Sequence, residues 1–123
     1  MKTANDPRHL NRQHLVQELF KTDFHMQPVS KNAKEIVANL PQIDEKVRVA
    51  APEFPLDKIN KIDLAILRLA VFELLIAKKE PTNVIIDEAV ELGKEFGGVS
   101  SPGFINGALG NIVSHEKLTT NTK

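Results

Sequence analysis

The run IDLAILRLAVFELLIA, residues 62–77, most narrows what this chain can fold into. At helical spacing, Ile62, Ala65, Ile66, Leu69, Ala70 and Leu74 form one broad stripe, while Leu67, Phe72 and Leu75 cover much of the remaining circumference. A helix apolar on nearly every side persists in water only when other elements surround it. In its longest mainly apolar part, Leu64 to Ala77, the run carries Arg68 and Glu73 and is too short to span a bilayer. It is read as the central helix of an all-α domain.

The rest of the chain supplies its neighbours. No segment alternates apolar and polar residues cleanly, so helical spacing dominates. Asp6-Pro7 starts a first helix, because aspartate accepts free first-turn N–H groups and proline gives up no hydrogen bond there. Leu15, Val16, Leu19 and Phe20 share its inner face, extended by Phe24, and Gln27-Pro28 ends or follows it. From Ser30, Ile36, Leu40, Ile43 and Val47 recur at steps of four, three and four, straight through Pro41. A kinked continuous helix keeps that register and is preferred; two short helices breaking at Pro41 are the alternative. Residues 50–56 form a loop with Phe54 tucked into the core. Thr82 to Phe96 follows Pro81 as a helix with Ile85, Ala89, Leu92 and Phe96 on one face, and Gly97 is expected to supply a left-handed stop. A last helix runs from Pro102 to His115, with Ser100 or Ser101 as its cap. The count is five or six helices in a single domain over residues 1–115, followed by a polar tail at 116–123.

At 123 residues the chain is long enough to bury a core without covalent staples. It has no cysteine, which removes disulfides, thiolate metal sites and cysteine nucleophiles. The polar start, broken by Pro7, has no signal-peptide pattern, and the expectation is a soluble cytoplasmic protein. Sixteen basic and sixteen acidic residues cancel, so any polyanion affinity must come from a local patch.

Few residues point to chemistry. Histidines 9, 14, 25 and 115 lack the spacing that puts two imidazoles on one helical face, so surface or capping roles are expected and no metal site. Asp87 with Glu91, and Glu88 with Glu95, share helical faces, which are read as solvated. No phosphate loop, nucleophile elbow or metal motif is present, and neither an enzyme nor a cofactor is expected. Arg68 lies in the apolar helix, where a lone charge is costly; Glu73 or Glu88 is the expected interhelix partner, direct ligand contact the other reading. Arg8 and Arg12 stand one turn apart on the first helix, with Lys2 before them. They are either a solvated first turn or two guanidinium forks that follow a phosphate backbone.

Three ordered stretches give the chain a likeness: IDLAILRLAVFELL (62–75), PTNVIIDEAVELGKEFGG (81–98) and FINGALGNI (104–112). Together they resemble the NusB family of bacterial transcription antitermination factors, and RHLNRQHLVQELF agrees with that family's arginine-bearing opening helix. The resemblance implies two packed antiparallel helical bundles. It implies binding of single-stranded boxA-type RNA with ribosomal protein NusE, within the RNA polymerase antitermination complex that reads through terminators in ribosomal RNA operons. Carried over by position, the RNA-facing set is Arg8, Arg12 and Phe20 on the first helix, Asp63 at the start of the central one, and Ser100 and Phe104 around the 97–102 turn. Phe104 can equally be a core residue, and for Phe20 the core is the preferred reading. Two departures stand out: His9, Leu10 and Asn11 separate the arginines, and the chain between the first and central helices is short, as though one helix were missing. A non-catalytic helical scaffold that binds protein and has lost RNA contact is the alternative.

Overall fold

The computed structural model describes residues 6–22 and 30–118. Its elements are α1 (Pro7–Thr22), α2 (Lys31–Ala38), α3 (Leu40–Ala50), a 3-10 turn (Leu56–Lys58), α4 (Lys61–Phe72), α5 (Thr82–Phe96) and α6 (Ser101–Glu116). A π-helical turn, Glu73–Ala77, continues α4. No strand occurs among the described residues. Phe24, His25 and the Gln27-Pro28 stop lie outside them.

The expectation for residues 62–77 holds. Every residue from Asp63 to Phe72 is buried, and α4 packs against all five other helices. Each Leu, Ile or Phe enclosed this way contributes about 1.5–3 kcal/mol. Around it, α1 leans on α2, α3 on α6, and α5 on α6. Leu15, Val16 and Leu19 enter the core as expected, while Phe20 only packs against its edge.

Local chemistry sets the helix ends. The Asp6 carboxylate accepts the Arg8 N–H at 2.9 Å and its carbonyl that of Leu10 at 3.0 Å. The Arg8 N–H on the carboxylate chiefly holds the Asp6 pKa below its ordinary value. Ser30 caps α2 through its hydroxyl, which accepts the Ala33 N–H at 3.1 Å.

Three expectations need correction. The chain breaks before Pro41 instead of kinking: α2 ends at Ala38, Asn39 leaves helical geometry, and Pro41 sits in the first turn of α3. A proline there displaces no helical hydrogen bond. The side chain of Asn39 spans the junction, donating to the Glu35 carbonyl at 2.8 Å and accepting from Gln42 at 2.7 Å. Among the described residues two helices therefore lie between α1 and α4. Gly97 is extended, at φ −96°, so it supplies no left-handed stop. What excludes a side chain at 97 is space, since a Cβ would collide with the Ser101 side chain and approach the Gly93 carbonyl oxygen to 2.8 Å. Phe54 is 45% exposed instead of tucked in, standing edge-on to Phe104 with ring centroids 5.5 Å apart.

Candidate nucleic-acid interface

The six residues expected to face RNA fall into different settings. Arg8 is open: its side chain is 72% exposed, and the Asp6 carboxylate lies 3.8 Å from its Nε. Arg12, one turn on, is buried. Its Nε and Nη2 grip Glu73 at 2.8 and 2.7 Å, Nη2 also meets Glu80 at 3.0 Å, and Nη1 lies 3.8 Å from Glu88. Burial pulls this guanidinium toward neutrality, but Glu73 and Glu80 more than offset it and hold the pKa above the ordinary arginine value. A fork already closed on a carboxylate offers little to a phosphate. Arg12 is thus an internal rivet between α1 and the end of α4, which corrects its expected place in an exposed pair.

Arg68 also turns inward, but to a different partner from the one expected. Its Nε and Nη2 each lie 2.9 Å from an oxygen of Asp44 on α3. Five positions separate Arg68 from Glu73, or about 140° around a helix at 3.6 residues per turn, so the two side chains leave α4 toward different neighbours. Glu73 and Glu88 instead serve α1.

At the other end of α4, Asp63 is buried in the first turn. Burial raises its pKa above the ordinary aspartate value, and a hydrogen bond from Ser101 partly counters this. Its Oδ1 has no hydrogen-bond partner among the described residues. The Ser101 hydroxyl also accepts the Gly98 N–H at 3.0 Å, which pins the corner before α6. Ser100 sits at the cap position without a capping side-chain bond among the described residues, and its carbonyl accepts the Phe104 N–H at 3.1 Å. Of the two serines, Ser101 does the bracing. Phe104 packs against the core edge and Phe54, and with it lines a shallow cavity of about 310 Å³ between α6 and the segment after α3.

Asp63, Ser100 and Phe104 therefore gather around the start of α6. Arg8 and Arg12 line a separate cleft of about 510 Å³ between α1, α2 and the end of α4, with Asn32, Ile36 and Lys79 opposite. Asp63 and Glu73 are ten positions apart on one helical rod, which places the two regions about 15 Å apart along it. Phe20 is half-buried on α1.

Sequence reasoning missed the roles of His9, Glu88 and Glu95. His9 is buried, and Glu88 and Glu95 both approach its imidazole, Glu88 largely covered and Glu95 still open to solvent on its outer side. The shared helical face of the two glutamates was the available signal. What the sequence does not show is that α1 covers it. Among the described residues no group of three or more histidine, cysteine or carboxylate side chains is placed to hold a metal, and no helix is long and apolar enough to cross a membrane.

Fold and site together define an all-helical domain that turns Arg12 and Arg68 inward onto carboxylates and presents an arginine, a serine-braced helix start and an aromatic pair outward. A model of the NusB family matches residues 5–114, and the chain belongs to that family. It is 35% identical over 111 residues to the transcription antitermination protein NusB of Chloroflexus aggregans, covering 82% of this chain and 74% of that one. The protein of the same name from Alkaliphilus oremlandii is 37% identical over 114 residues, covering 90% and 83%. Among solved structures, T. maritima NusB superposes with a TM-score of 0.77 at 32% identity, covering 93% of each chain.

Proposed function

We propose that the chain is an RNA-binding transcription antitermination factor. It takes up single-stranded boxA-type RNA together with ribosomal protein NusE and joins the RNA polymerase antitermination complex on ribosomal RNA operons. Membership of the NusB family along nearly the whole chain carries this reading. The site supports it chemically. Arg8 offers an exposed guanidinium to a phosphate, the positive end of the α6 dipole favours an anion, and Phe104 offers an aromatic edge to an unstacked base. Asp63 braces the α6 corner through Ser101, and Phe20 borders the first helix. Arg12 acts one step back, holding α1 so that Arg8 faces outward. The two regions are near enough for one strand of several nucleotides to reach both.

Titrating labelled boxA-type RNA at low salt, with and without NusE, tests the proposal. Binding that weakens steeply with added salt is expected; no binding under either condition rejects it. One observation favours a second reading, a protein-binding helical scaffold: Arg12 is consumed internally in a chain of zero net charge, which leaves few cations for RNA. Recovery of ribosomal protein partners that survives nuclease treatment, together with no RNA binding, would select that scaffold.

A further inference from the structure

Both ring nitrogens of His9 meet carboxylates. Nδ1 lies 2.7 Å from Glu88 Oε1, and Nε2 lies 2.9 and 3.0 Å from the two oxygens of Glu95. The imidazole is 4% exposed. An ionised carboxylate only accepts hydrogen bonds, whereas a neutral imidazole has one N–H and one lone pair. A neutral ring in this position would aim its lone pair at a carboxylate, from a ring that water scarcely reaches. Only the doubly protonated ring can donate on both sides.

We propose that His9 is a proton-operated clamp, which fastens α1 to α5 while the ring is charged and releases it when the proton leaves.

The surrounding charges act in the same sense. On its own helix His9 has Arg12 one turn away, and on α5 it has Glu88 and Glu95. Beyond Arg12 stand Glu73 from the end of α4 and Glu80 from the loop before α5. Glu88 Oε1 is shared, since it faces Arg12 as well as His9. The charged clamp thus sets two cations against four carboxylates, and losing the proton leaves one. Gln13 adds a neutral bond to Glu95 at 3.1 Å, which does not titrate. Desolvation alone would lower the His9 pKa, but the two glutamates outweigh it and raise the pKa above its ordinary value. With the folded value above the unfolded one of about 6.5, the clamp's stabilisation is full below that pH and is lost as pH climbs through the folded value.

Nothing in this inference depends on RNA binding. Nitrogen-detected NMR of the full chain, followed from about pH 5.5 to about 9, reads the ring directly. The expected result is a ring protonated at both nitrogens at neutral pH, with a midpoint above the ordinary value. Glu95→Gln should move that midpoint down. Tm should fall over the same range in the unaltered protein, and the fall should flatten in His9→Lys, whose charge persists throughout. A singly protonated ring at neutral pH, or an identical Tm profile in His9→Lys, would overturn the clamp. Should His9→Lys fail to fold, the ring titration on the unaltered protein decides alone.

Discussion

Replacing Arg12 by alanine separates a rivet from a ligand contact. The guanidinium side chain is 7% exposed, and its partners Glu73 and Glu80 are 17% and 21% exposed. Removing one member of a buried, bidentate pair leaves the other charge without its partner and costs about 3–5 kcal/mol. Water can still reach both glutamates in part, so the lower end, about 3 kcal/mol, applies here. For a domain of this size that corresponds to a fall in Tm of about 10 °C. An arginine standing in solvent to await RNA would instead change stability by less than about 0.5 kcal/mol. Thermal and urea unfolding of Arg12→Ala, Glu73→Gln and the double variant would give both the loss and the coupling, expected at about 1–3 kcal/mol. If Arg12→Ala leaves Tm unchanged while abolishing RNA binding, the rivet is wrong and Arg12 is a surface contact after all.

Three further outcomes follow from the same geometry. Arg8→Ala should leave unfolding unchanged within about 0.5 kcal/mol, yet weaken RNA binding for all sequences and lessen the salt slope by about one, as seen by titration at several salt concentrations. Gly97→Ala should lower stability by about 1–3 kcal/mol in urea unfolding, through overpacking against Ser101 and not through backbone strain. Asp63→Asn should raise Tm at neutral pH. The native aspartate binds its proton more tightly when folded, so stability falls as pH rises from the unfolded value through the folded one. The gain should vanish below about pH 4, where the aspartate is protonated in both states.

The helical framework was legible because its causes are local. Residues 62–77 announce a surrounded helix by having no polar side. The residues bounding α5 act within a few positions of themselves, so Thr82 and Phe96 emerged as its limits. Pro41 shows where a local signal fails. The apolar register runs on through it, and register alone does not distinguish a kink from two helices that keep the same inward face. Gly97 was legible as a constraint but not as to its kind, because the obstructing Ser101 side chain belongs to the next helix.

By itself the sequence determined which segments are helical, which face of each is apolar, and that Arg68 needed an acidic partner. Only the tertiary structure decided that this partner is Asp44, that Arg12 is spent inside the molecule while Arg8 is exposed, and that His9 sits between two glutamates more than seventy positions away. Apolar periodicity is written into neighbouring residues. The pairing of charges depends on which helix faces which and at what height, and those are properties of the packed whole.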